Sequence, residues 1–263
     1  MRILVLAQPV PDSRAAVKVA PDRSGLETKG LKFVCNPFDE YAIEQAAQLK
    51  ENRGDVEEIV AIALGGPNAL LSLRAALAMG ADRAIHVSVE DFPMHDEIAS
   101  AKAIAAAVEH EDVPFDLILC GKQTIDNDSG ELGPALAEFL DLPHAGAVVK
   151  FELDDAGSTF SARRRIEGAE EAMEGVLPAL VTCEKGLVEP RFPSLPNIMK
   201  AKKKPLTTLT LAELSALGDR NPGLTLTELT PPPPRPLCKM IEGDPAEMAR
   251  ELVNLLRTEA KVI

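Results

Sequence analysis

The amino-acid sequence predicts an α/β protein: a doubly wound, mostly parallel sheet with an extended C-terminal arm that ends in a helix. Three observations predict it. Short continuous apolar runs recur through the first half of the 263 residues, at "RILVLA" (2–7), "EEIVAIAL" (57–64), "RAIHVSV" (83–89) and "FDLILCG" (115–121). Helical patterns lie between them. After about residue 145 the texture changes, and from about residue 206 prolines and turn residues dominate until a last helical stretch. A strand covered on both faces has no solvent side, so parallel strands read as unbroken apolar runs rather than alternations.

Each helical stretch carries one apolar face. Ile43, Ala46, Ala47 and the stem of Lys50 share the first; Leu70, Leu73, Arg74 and Leu77 the second; Ile98, Ala101, Ala105 and Val108 the third. Strand–helix–strand alternation of this kind predicts a Rossmann-like sheet with right-handed crossovers. "GAVVKFELDDAGSTFSARRRIEG" (146–168) reads as two extended segments around an Asp-Ala-Gly-Ser turn, and "VLPALVTCEKG" as one more apolar run. The tail is turn-rich through "PPPP" (231–234), a stiff extended spacer. The last helix has Asp244 as its cap, Pro245 at its first position, and Ala249, Leu252, Val253 and Leu256 as its apolar face. That face must be buried on its own domain or on a partner chain. The expected divisions are residues 1–190 as the α/β domain, 191–205 as a recognition loop and 206–263 as the arm.

Composition excludes several classes. With 41 acidic against 28 basic residues, net charge −13, the chain is no general nucleic-acid binder, which must neutralise phosphates. Aromatics at 3% without tryptophan leave no platform for stacking bases. Cys35, Cys120, Cys183 and Cys238 are too dispersed for a metal or disulfide framework and read as reduced, mostly buried thiols. "RILVLA" is too short and too lightly flanked for a signal peptide, and no apolar stretch reaches spanning length. A cytoplasmic protein without membrane insertion is expected. His86, His95, His110 and His144 lack metal spacing, and no serine sits beside an obvious base.

In open α/β sheets, ligands sit beyond the carboxyl ends of the strands, so the loops there carry the chemistry. "CNPFDEYAIEQA" (35–46) has Asn36 at a helix N-cap, Pro37 at the first position and Asp39 at the third. "GGPNA" (65–69) permits a close backbone approach, or is a tight turn. The strongest loop is "CGKQTIDNDSGELGP" (120–134), between a strand and a helix. Gly121, Gly130 and Gly133 permit unusual backbone angles, and Ser129 places a hydroxyl beside helix N–H groups, which suits a nucleotide phosphate. Asp126, Asp128 and Glu131 would repel an anion, so backbone amides must do that work. An Asx-rich turn with no ligand is the alternative.

One passage resists assignment to any element. "EPRFPSLPNIMKAKKKP" (189–205) holds four prolines and four lysines around Leu195, Ile198 and Met199. Its prolines predict that no regular helix or central strand forms there. An apolar triplet on a proline-stiffened basic loop suits docking, since a stiff loop enters a pocket with little ordering cost.

"NPFDEYAIEQA", "LAMGADRAIHV", "CGKQTIDNDSGELGP", "RRRIEG" and the passage above together resemble the β subunit of electron transfer flavoproteins, from residue 2 to about 205. The resemblance implies an adenine-nucleotide-binding fold, with AMP as a structural ligand in this chain. It also implies a heterodimer with an α subunit that carries the redox FAD. Acyl-CoA dehydrogenase-type flavoenzymes would supply the electrons, and a quinone-reducing acceptor would take them. By this resemblance the AMP site comprises Leu6 and Ala7, then Asn36, Pro37, Phe38 and Asp39, then Gly65. The loop of Gly121, Lys122, Gln123, Thr124, Ile125, Asp126, Asn127, Asp128, Ser129, Gly130, Glu131 and Leu132 completes it.

The resemblance further places Phe38 near the partner's flavin and Leu195 in a pocket of the donor, supported by Ile198 and Met199. Lys200, Lys202, Lys203 and Lys204 would favour encounter with acidic partners. Arg164, Arg165 and Glu167 would face the α subunit. Gln8, Ser13, Glu131 and Arg165 depart from residues common in the family. Two alternatives stay open: a bifurcating subunit with a second redox FAD in this chain, and a non-redox nucleotide-binding regulatory module.

Overall fold

The computed structural model describes residues 1–89, 92, 95–214, 223–235 and 237–263. It comprises two units, Met1–Leu229 and Thr230–Ile263. The four apolar runs become β1 (Arg2–Leu6), β4 (Glu58–Gly65), β5 (Arg83–Ser88) and β6 (Leu117–Gly121). Between β1 and β4 lie β2 (Pro9–Pro11), β3 (Phe33–Cys35) and α1 (Pro37–Asn52). Helices α2 (Ala69–Met79), α3 (Glu97–Glu109) and α4 (Leu132–Phe139) follow β4, β5 and β6. Then come β7 (His144–Leu153), β8 (Thr159–Ile166), β9 (Ala169–Val176), β10 (Ala179–Cys183), α5 (Leu195–Ala201) and β11 (Leu206–Thr210).

Nine of these strands form one sheet in the order β11-β5-β4-β1-β6-β10-β7-β8-β9. Neighbours from β11 through to β7 run parallel. The pairs β7–β8 and β8–β9 are antiparallel. Successive residues of a strand point to opposite faces, and each central strand feeds two cores. Ile3 and Val5 join Ile59, Ala61 and Leu119 under α1 and α2, which contribute Ile43, Ala46, Leu73 and Leu77. Leu4 and Leu6 join Val60, Ile62 and Ile118 under α3 and α4, which contribute Ala101, Ile104 and Leu136. Each fully buried Leu or Ile contributes about 1.5–3 kcal/mol by leaving water. The doubly wound expectation holds.

Several elements differ from the sequence reading. Ile98, assigned to the buried face of α3, is exposed, and that helix packs through Ala101, Ile104 and Ala105. Residues 9–11, which no apolar run marks, form β2 despite two prolines, pairing antiparallel with β3 at Pro9–Cys35, Val10–Val34 and Pro11–Phe33. A two-stranded ribbon tolerates proline because its outer N–H groups need no strand partner. β9 has few apolar residues because it is an edge strand with almost every side chain exposed. β11, expected within the arm, adds a parallel edge strand beside β5. The turn-rich reading of 215–222 and of position 236 lies outside the described residues.

The passage expected to hold no helix forms α5. Ser194 caps it, its Oγ accepting from the Asn197 N–H at 3.4 Å, and Pro196 lies in the first turn, where its missing N–H has no partner to lose. In the second unit, α6 (Pro245–Thr258) begins as expected. The Asp244 carboxylate accepts from the N–H groups of Ala246 and Glu247, and Glu247 reaches back to the Asp244 N–H. None of its residues is buried, and Leu252 and Val253 stay exposed.

Gly133 shows why α4 packs where it does. A Cβ there would lie 2.4 Å from Thr182 Cγ2 and 3.2 Å from Cys120 Sγ. Glycine lets the helix approach β10 and β6, so Gly133→Ala overpacks the contact. We expect a cost of about 1–3 kcal/mol, read as a melting temperature lowered by several degrees. An unchanged melting temperature would show that α4 can recede freely.

Candidate functional site

The chain leaves β1 to build β4 and β5 on one side and returns to place β6 on the other. β1 and β6 therefore flank a topological switch point, where an open sheet leaves a crevice at its carboxyl edge. The ends of β1, β4 and β6 bring Ala7, Gly65 and Gly121 to that edge, and α1 starts across it.

One carboxylate joins these elements. Asp39, in the first turn of α1, accepts from the Gln8 N–H at 2.9 Å and the Gly121 N–H at 2.7 Å. Strand-end N–H groups project beyond the ladder, and a buried one needs an acceptor. Asp39 is 3% exposed. Burial pushes its carboxyl from 3.8 up to about 7, against the two backbone donors that favour the charged form, and Glu97 adds to the rise. The sequence reading took Asp39 as part of a helix cap. The structure turns it instead toward the strand ends.

Asn36 occupies the N-cap position but makes no capping bond with its side chain. Its Nδ2 donates to the Gln123 carbonyl at 2.9 Å, which ties α1 to the loop after β6. Its Oδ1 is buried without a partner. A buried acceptor left unmade is costly. Gln8 completes the junction: its carbonyl accepts from the Asn36 N–H at 2.9 Å and its Oε1 from the Leu64 N–H at 3.1 Å. At the end of β4, the Gly65 carbonyl lies 2.8 Å from His86 Nε2.

Loop 121–132 is held largely by its own side chains. Asn127 Oδ1 accepts from Thr124 Oγ1 and the Ser129 N–H, and its Nδ2 donates to Glu97. Gln123 Nε2 donates to Asp128 at 2.6 Å, and Ser129 Oγ accepts from the Glu131 N–H at 3.4 Å. Asp126 and Asp128 are exposed and Lys122 pairs with Glu184 at 2.8 Å. Leu6 and Ala7 are fully buried beneath the crevice, and Ile125 and Leu132 are half-buried. Of the three glycines expected to need unusual angles, only Gly130 has a left-handed φ, at +68°. Gly121 is required by proximity instead. A Cβ there would stand 2.6 Å from Phe38 Cβ and 2.8 Å from the Asp39 nitrogen.

The other expected residues lie elsewhere. Arg164 and Arg165 sit on β8, opposite Glu171 and Glu170 of β9, and Glu167 is exposed in the turn between them. On α5, Leu195 is 73% exposed, with Ile198 and Met199 also exposed beside Lys200, Lys202 and Lys203. Lys204 is turned inward and donates to the Leu77 and Ala81 carbonyls at the end of α2. The sequence reading passed over Phe192, which is 99% exposed, and Arg191, which pairs with α1. A lone arginine gives no local sign of its partner, so only its place in the proline-rich passage marked it. Cys35, Cys120 and Cys183 are buried free thiols, and Cys238 is exposed.

These features define a doubly wound α/β protein in which the start of α1 meets the strand ends at the switch point. Residues 25–214 match the model of the electron transfer flavoprotein domain family. Over the full length of both chains, the protein is 42% identical to the electron transfer flavoprotein subunit beta of Bacillus subtilis. It is 37% identical to that of Homo sapiens, covering 100% of this chain and 99% of the other. It is 36% identical to the mitochondrial one of Arabidopsis thaliana, with both chains fully covered. The chain belongs to the electron transfer flavoprotein β-subunit family, as an electron-carrying subunit. No helix among the described residues is long and apolar enough to cross a membrane.

The raised Asp39 carboxyl gives a pH dependence. A group whose folded value exceeds its unfolded one stabilises fully below about 3.8, and that contribution is lost as pH rises to about 7. Asp39→Asn keeps one acceptor oxygen and cannot ionise. Urea unfolding at pH 5 and pH 8 should show the variant gaining on the native chain at the higher pH. An equal gap at both values would show that Asp39 does not titrate in this window.

Proposed function

We propose that this chain is the β subunit of a heterodimeric electron transfer flavoprotein, with AMP held structurally in the switch-point crevice. The partner α subunit carries the FAD, which takes up and releases the electrons. The donors are acyl-CoA dehydrogenase-type flavoenzymes, and a quinone-reducing acceptor takes the electrons onward. The observation that carries the docking role is Leu195. It stands exposed at the start of a capped helix, among three exposed lysines, on a chain of net charge −13. An apolar side chain on a rigid turn fits a partner's pocket, and the lysines speed encounter with an acidic surface.

For the crevice, the buried and unpartnered Asn36 Oδ1 supports a ligand with an N–H donor, such as a purine amine. The residues fit such a group. Asn36 and Gln123 would hold the base side, and the backbone amides of loop 121–132 the phosphate side, with Asp126 and Asp128 turned outward. Arg164, Arg165 and Glu167 on the β8–β9 hairpin would meet the α subunit. The apolar stripe of α6 would pack on that subunit too, since within its own unit it has no buried residue. Membership of a flavoprotein family speaks against a non-redox regulatory role.

Two experiments test this reading. In Gly121→Val the new side chain collides with Phe38 and the start of α1. Mass spectrometry of the denatured heterodimer should find AMP in the native protein, one FAD per heterodimer, and little AMP in the variant. Two FAD and no AMP would replace the structural role with a bifurcating one.

Leu195→Ala removes several methyl and methylene groups from the proposed pocket. At roughly 0.8 kcal/mol per buried CH₂, docking should weaken by a few kcal/mol, with FAD, AMP and melting temperature unchanged. Stopped-flow reduction by an acyl-CoA dehydrogenase at the native second-order rate would remove the anchor role.

A further inference from the structure

Residues 192–200 form an exposed arch that is fastened at both ends. At its entry, Arg191 Nε and Nη2 donate to Glu44 of α1 at 2.6 and 2.9 Å, and the Arg191 backbone N–H reaches the same carboxylate at 3.2 Å. The guanidinium also grips Glu51, one contact lying at 3.0 Å and a second through Nη1. Glu44 is buried, with Gln48 as a further donor at 2.8 Å, while Glu51 is exposed. At the exit, Arg74 Nη1 donates to the Ala201 carbonyl at 2.7 Å, and Lys204 donates into the end of α2.

Between the two fastenings almost every side chain faces solvent, Phe192, Leu195, Ile198 and Met199 included. An exposed segment of this length has little packing of its own to order it. Beyond the capped turns of α5 and their contact with α2, its placement depends on its ends. A planar guanidinium bonded to two carboxylates fixes direction as well as position, which a single ammonium does not.

We infer that Arg191 is a positioning residue for partner docking: by gripping Glu44 and Glu51 on α1, it holds the arch 192–200 in the conformation that a donor flavoenzyme's apolar pocket receives. The inference rests on the docking role proposed for Leu195. Ordering the arch before encounter removes a cost that binding would otherwise bear. Arg191 itself need not touch the donor. Its effect falls on affinity and not on the electron-transfer step.

The test uses the full heterodimer with a purified acyl-CoA dehydrogenase, varying the heterodimer concentration. Amide hydrogen exchange is followed in 192–200 and, as a control, in α1. In Arg191→Met, exchange in 192–200 should quicken. The half-saturating concentration should rise about tenfold while the maximal rate holds, as expected for lost pre-organisation. Arg191→Lys should recover part of both effects. Leu195→Ala should raise half-saturation without changing exchange.

Faster exchange with unchanged half-saturation, while Leu195→Ala still raises it, would overturn the inference and leave the docking role standing. If neither variant raises half-saturation, the docking role falls and this inference with it. Should Arg191→Met loosen α1 as well, because Glu44 is left buried without its partner, Glu51→Gln decides the matter. That variant spares the buried pair. Smaller shifts in the same directions support the inference, and unchanged exchange in 192–200 overturns it.

Discussion

The buried carboxylate of Asp39 is the interaction on which the rest of the site depends. It accepts from the N–H of Gln8, just past β1, and from that of Gly121, the last residue of β6, the two strands that flank the switch point. One side chain thereby fixes the start of α1 to both walls of the crevice. The cost is the desolvation of a carboxylate, and its raised pKa reports that cost. Glycine at 121 belongs to the same constraint. The helix start approaches the strand end so closely that no side chain fits between them.

From that junction α1 runs as a beam with tasks at both ends. At its start Asn36, Phe38 and Asp39 meet the strand ends. Further along the helix, Glu44 and Glu51 receive Arg191, where the exposed arch begins. The strand-end junction and the exposed arch are thus referred to one helix. A small positional error in α1 would be transmitted to both.

The charge distribution complements this layout. An acidic chain repels most other acidic proteins in solution, while Lys200, Lys202 and Lys203, in and just after α5, leave a basic feature beside exposed apolar side chains. Lys204 shows that such a run is not uniform. Three of its lysines face solvent, and the fourth satisfies carbonyls at the end of α2, where the helix dipole favours a cation.

Much of the fold was legible because burial on both faces forces unbroken apolar runs, as at β1, β4, β5 and β6. That Gly65, Gly121 and Asn36 would stand at strand ends was legible too, since glycines and Asx residues cluster where such runs end. β9 and β11 were not, because edge strands carry little of the apolar pattern that marks a strand. α5 was hidden by prolines, whose effect depends on whether they fall in the first turn or the middle of a helix.

Sequence by itself determined the parallel sheet, the glycine- and Asx-rich loops at its strand ends and the apolar triplet of 195–199, for each is a local pattern of residue types. Only the tertiary structure decided what Asp39, Gln8, Arg191 and Lys204 do. Their partners lie far away along the chain, Arg191 and Glu44 being 147 positions apart. A polar side chain carries no record of a partner that folding alone brings to it.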